Sequence, residues 1–105
     1  MRPSITHMPA AVVNHLHFRE PADPELFARA QREVVPEARI MERIHGLHIV
    51  EVAPDHFILV ILGDDVEAID SFVTEVASPW LTDHVVPALA SPPEQYLGPL
   101  VVTTK

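Results

Sequence analysis

Residues 57–62, FILVIL, are six consecutive apolar side chains set between His56 and Gly63. The run is shorter than an ordinary helix and is rich in branched residues, so it reads as a strand. Side chains on a strand alternate between the two faces of its sheet. This strand is therefore apolar on both, whereas a sheet with one wet face reads as an alternation of apolar and polar residues. Whatever sheet holds residues 57–62 has to be covered on both sides.

The neighbouring segments say what one of those covers is. Residues 11–18, AVVNHLHF, read as a first strand. In the following EPADPELFARAQREVV, Asp23 is a good N-cap, Pro24 suits the first helical position, and Glu25 favours the positive helix end. Leu26, Phe27, Ala30 and Val34 make one apolar stripe. Pro36 lacks an N–H and breaks this helix at Val35. A short second helix is expected over PEARIMERI, residues 36–44, ending at Gly46 as its C-cap, with His45 beside it. Strand two follows at 47–53, a turn at Pro54-Asp55, and strand three at 56–62. A helix capped by Asp64 or Asp65 carries Val66, Ile69, Phe72, Val73 and Val76 on one face. Ser78-Pro79 restarts a helix, Pro92-Pro93 stops it, and QYLGPLVVT, residues 95–103, reads as strand four with Gly98-Pro99 near its start.

The order is β-α-β-β-α-β. Two such halves build a four-stranded antiparallel sheet with helices on one face, the ferredoxin-like α+β arrangement. Residues 1–10 are expected to be a flexible N-terminal arm containing His7, and residues 11–105 a single domain. Helices cover only one side of the sheet, so a second copy of the same sheet is the simplest cover for the other. A composition that is 48% hydrophobic with a net charge of −8 points the same way, toward a homodimer.

Composition also removes function classes. With 15 acidic residues against 7 Lys+Arg, the chain lacks the charge of a nucleic-acid groove or an anionic-membrane surface. It has no cysteine, which excludes disulfides, thiolate nucleophiles and cysteine-ligated metals. No run approaches 18 apolar residues and MRPSITHMPAA has no apolar core, so a soluble cytoplasmic protein is the expectation. The three glycines are scattered and form no phosphate loop, and no serine sits in a nucleophile elbow.

With these elements in place, IHGLHIVEVAPDHFILVILGDDVEAIDSFVTEVASPWLTDHVVPAL resembles the dimeric α/β-barrel superfamily, and most closely its antibiotic-biosynthesis-monooxygenase-type branch. A Gly before strand two, a short turn into an apolar strand three, an acidic helix cap and a Ser-Pro-aromatic stretch followed by His carry the resemblance, which spans roughly residues 11–103. It implies a homodimer of sheets packed into a barrel, with a small-molecule pocket in each subunit between sheet and helices. It implies cofactor-free oxygenation of an electron-rich aromatic or polyketide-like molecule. The alternatives are a haem-binding or haem-degrading relative, whose branch uses an Asn on strand one with a Trp and a His from the second half, and a non-catalytic ligand-binding dimer.

Candidate site residues divide by strand face. Val12, Asn14, Leu16 and Phe18 point one way, Val13, His15 and His17 the other. With the helices on the Asn14 side, Asn14 lines the pocket, either orienting a substrate oxygen or bonded to a neighbouring backbone group or water. His15 and His17 have the spacing of a metal pair, and the topology brings His56 near His17 as a third ligand. Without a divalent metal they are interface histidines bonded across the dimer. Trp80 and His84 are four apart and share one helix face. On the resemblance, His84 would manage a proton and Trp80, with Leu16, Phe18 and Phe72, would supply apolar walls; otherwise Trp80 plugs the core and His84 caps a carbonyl.

Overall fold

The structure, a computed structural model, describes residues 8–104, so His7 and most of the expected N-terminal arm lie outside the described residues. Strand β1 spans Ala10–His17, helix α1 Pro24–Glu33, helix α2 Val35–Ile40, strand β2 Ile44–Ala53 and strand β3 His56–Gly63. Helix α3 covers Val66–Phe72, helix α4 Ser78–His84 and strand β4 Glu94–Pro99. The sheet order is β2-β3-β1-β4 with every neighbour antiparallel, which is the ferredoxin-like topology.

The helices cover the face that carries Val12, Asn14, Leu16 and Phe18. Along β1 buried and half-buried residues alternate strictly, and Val12, Leu16, Phe57, Leu59 and Ile61 meet Ile69 and Phe72 in one core. The other face bears Val13, His15 and His17 of β1, Ile58, Val60 and Leu62 of β3, and Tyr96 of β4, placed together by the strand registers.

Asp23 caps α1 as its sequence implies, accepting from the Glu25 N–H at 3.0 Å. Of the two candidate caps for α3, Asp65 takes the role and accepts from the Ala68 N–H at 2.8 Å. Asp65 is only 5% exposed, and its second oxygen accepts from the Arg43 guanidinium. Arg43 thus ties the turn before β2 to the start of α3.

Three boundaries differ from expectation. Helix α2 stops at Ile40, because Met41 turns extended and the Ile44 N–H bonds back to the Met41 carbonyl at 3.0 Å. Gly46 therefore caps no helix. It lies inside β2 beside a register shift between Ile44 and Gly46, with a negative φ. A Cβ there would sit 2.9 Å from His48 Nε2, so a bulge and a close approach explain the glycine. His45, also in β2, bonds to Asp64 rather than sitting at a helix end. Finally, Gly98-Pro99 closes β4 instead of opening it: Pro99 has no N–H to continue the ladder, and the chain leaves through Leu100 N–H to Pro9 carbonyl at 2.7 Å.

Between α3 and α4, residues Val73–Ala77 form a π-helical turn, with the Ser78 N–H reaching back five residues to the Val73 carbonyl. The ring of Pro79 would clash with the carbonyl four residues before it, so the ladder widens there.

Because Asp65 both caps α3 and holds Arg43 at a buried site, Asp65→Ala is expected to cost about 2 kcal/mol, a cap plus a charge-assisted bond. Asp65→Asn, which keeps a capping oxygen, should recover about half of that loss. Urea unfolding followed by circular dichroism measures both.

Candidate functional site

Strand β1 delivers Asn14 to the helix-covered face at 3% exposure. Its lateral neighbours are Leu59 on β3 and Gln95 on β4. Between this part of the sheet and the π-helical turn lies a cavity of about 380 Å³, bordered by Asn14, Gln95, Val73, Ala77, Ser78 and Thr82 among others. No buried side-chain nitrogen or oxygen among the described residues lacks a partner. The Asn14 amide is hydrogen-bonded to none of them, so its polar end is not sealed in protein and opens on the cavity. The surrounding polar groups are amides and hydroxyls, able to donate or accept without placing a charge in a half-enclosed space.

His84 and Trp80 are elsewhere. They share a face of α4, with ring centroids 4.9 Å apart, but that face meets α1. The Trp80 indole donates to Glu33 Oε1 at 2.9 Å, and the Arg29 guanidinium donates to His84 Nδ1 at 3.2 Å. Arginine has no acceptor, so Nδ1 carries the lone pair and a neutral His84 holds its proton on Nε2. His84 borders a different, open cleft of about 420 Å³ with Phe18, Arg19, Asp23 and Arg29. Trp80 borders a crevice of about 20 Å³. Leu16 and Phe72 are sealed in the core at 2% and 0% exposure.

The structure thus does not bring Asn14, Trp80 and His84 into one cavity. The cause is the π-helical turn, whose extra residue rotates everything after it by about 100° around the helix axis. The four-residue spacing correctly puts Trp80 and His84 on one face of α4, but it does not say which way that face points. With the added residue, Ser78 and Leu81 face Asn14, while Trp80 and His84 face α1. Gln95, Ser78 and Thr82 are the cavity's polar residues that sequence reasoning passed over. The Ser78-Pro79 step that signals a helix restart was also the available sign of this shift.

On the opposite face of the sheet, the register sets His17 directly across from His56. Their rings stack with centroids 4.2 Å apart. His15, two residues along the same face, sits with Nδ1 3.1 Å from His56 Nε2. One ring nitrogen from each of the three lies within 4.8 Å of the others, and all three residues are half-buried. His48 takes no part; it is across from Val60 on β2.

Since the Asn14 amide is hydrogen-bonded to no described residue, Asn14→Leu is expected to leave stability unchanged or raise it by up to about 1 kcal/mol, where a structural asparagine would lose that much or more. Chemical unfolding of the two proteins decides between these outcomes.

No protein-family model matches the chain, and no curated protein matches it. Solved structures do. A protein of unknown function from Nitrosomonas europaea, NE2512, superposes with a TM-score of 0.75 at 16% identity, over 95% of this chain and 96% of its own. The monooxygenase from the gene ActVA-Orf6 of Streptomyces coelicolor, solved with the ligand nanaomycin D, gives 0.73 at 13% identity, over 94% and 93%. SnoaB of Streptomyces nogalater, a cofactor-independent oxygenase, gives 0.68 at 13% identity, over 91% and 96%. The chain shares its ferredoxin-like fold with these proteins over more than nine-tenths of its length.

Proposed function

We propose that this chain is a homodimeric, cofactor-independent oxygenase acting on a small hydroxylated aromatic or polyketide-like molecule held in the Asn14 cavity. The observation that carries the reading is the Asn14 amide itself: nearly buried, bonded to no described protein group, and open to a cavity of about 380 Å³. That volume is in the range of small-ligand sites, about 300–1,000 Å³. An amide that opens on the cavity with no protein partner is free to exchange water for a ligand oxygen.

The chemistry follows from what an oxygenase without a cofactor requires. The substrate must be the reductant. An activated CH2 flanked by hydroxylated rings can lose four electrons to O2, giving a C=O and one water, with one oxygen atom in each product. Deprotonation to an enolate or phenolate comes first, the proton passing to water in the half-enclosed cavity, because the electron-rich anion is what reacts with O2. Asn14 donates to the oxygen on which that charge develops, a role worth on the order of 10²–10³ in rate for a well-aimed donor. Ser78, Thr82 and Gln95 fix the remaining oxygens. The proton-handling role expected of His84 would require the substrate to extend toward its separate cleft.

The dimer rests on the other face of the sheet. Val13, Ile58, Val60 and Leu62 form an apolar surface there, with Val50 49% and Tyr96 61% exposed at its edges. A second copy of that face is the cover with matching shape and chemistry.

Oxygen uptake with a panel of anthrones and dihydroxynaphthalenes should exceed their autoxidation rate, and Asn14→Ala should lower kcat/KM at least tenfold. No uptake above autoxidation for any of them, with no binding by ligand-observed NMR, would remove the enzyme reading. Light scattering should give twice the chain mass for the natural protein, and Val60→Glu should halve it.

A further inference from the structure

We infer that His15, His17 and His56 form a divalent metal site on the helix-free face of the sheet, taking a borderline first-row ion such as Zn2+, Ni2+ or Cu2+. The inference is independent of the oxygenase reading, because the three rings lie across the sheet from the Asn14 cavity.

Backbone pairing builds the group. His17 and His56 are register partners, and such positions hold their Cβ atoms about 4.5–5.5 Å apart. His15 joins them because a strand returns to the same face every second residue. The three lone-pair nitrogens then converge within 4.8 Å of one another. His15 Nδ1 and His56 Nε2 are already 3.1 Å apart; two nitrogens on one tetrahedral zinc, at about 2.0–2.1 Å each, stand about 3.3 Å apart.

Hydrogen bonding between the rings does not account for the arrangement as well. One N–H···N bond can join His15 to His56, yet His17 is stacked on His56 rather than bonded to it. None of the three makes an ion pair with a described carboxylate. Three imidazoles with one nitrogen each drawn together are the donor set that suits this class of ion, and the absence of carboxylates from the set disfavours Mg2+ and Ca2+. A fourth position is left for water or an outside ligand, as in three-histidine sites generally.

The test uses the full chain without an affinity tag, freed of metal by chelator and titrated with Co2+ and then Zn2+. One equivalent per chain is expected, with visible d–d bands of four- or five-coordinate Co2+ that Zn2+ abolishes. His15→Ala, His17→Ala and His56→Ala should each weaken binding at least tenfold, and His17→Gln should do so while matching the natural protein in circular dichroism and melting temperature. His48→Ala should bind as the natural protein does. Binding well below one equivalent, binding retained by His17→Gln, or binding lost equally in His48→Ala would each overturn the site.

Discussion

The ladder joining β1 to β3 runs without a shift from Ala10 opposite Gly63 to His17 opposite His56, and β1 is paired again on its other side by β4. A strand held on both edges cannot slide, and a one-residue slip would exchange its faces. The slip would put Asn14 on the open side and His15 and His17 into the core beside Phe72. A histidine without a partner would then replace Leu16 in the core, at a cost on the order of 1–3 kcal/mol for each unpartnered polar group. The same register that closes the core therefore separates the two candidate chemistries, one on each side of a single sheet.

The second half of the chain is positioned less directly. Helix α3 is locked by Asp65, which caps it and grips Arg43 from the turn before β2. Helix α4 depends on α3 only through the π-helical turn, and its orientation is set by what it meets: Trp80 on Glu33 and His84 on Arg29. Val73 and Ala77 of the widened turn border the Asn14 cavity, while Ala77 is also packed into the core at 3% exposure.

Much of this was legible in the sequence because its signals are local. Asp23-Pro24 and Ser78-Pro79 mark helix starts, Pro54-Asp55 a turn, and the two-residue period of AVVNHLHF by itself separates Asn14 from the two histidines. The approach of His56 to His17 follows from topology alone. What was not legible depends on more than one segment. Gly46 after a helical pattern reads as a cap, yet it serves the close approach of His48 within a bulged edge strand. Gly98-Pro99 reads as the entry to a strand, yet which end of the ladder it occupies is decided by pairing with β1. The phase of Trp80 and His84 turns on a single extra residue in a helix, and a four-residue spacing carries no trace of it.

The polar lining of the Asn14 cavity also bears on which molecules would suit it. Asn14, Gln95, Ser78 and Thr82 are all uncharged, in a protein whose 15 acidic residues outnumber 7 Lys+Arg. A ligand arriving as a full anion would meet the unfavourable field of the whole chain and find no cation in the cavity to offset its desolvation. A neutral hydroxylated aromatic meets neither penalty, and it can bury its rings against Val73, Ala77 and Leu81 while its oxygens reach amides and hydroxyls. On the oxygenase reading proposed above, a molecule that loses a proton only after it is bound would develop its charge beside the Asn14 amide, away from the bulk field. The cavity is then better matched to the charge that develops during reaction than to a charge brought in from solution, which is the condition under which binding energy lowers a barrier rather than merely holding the substrate.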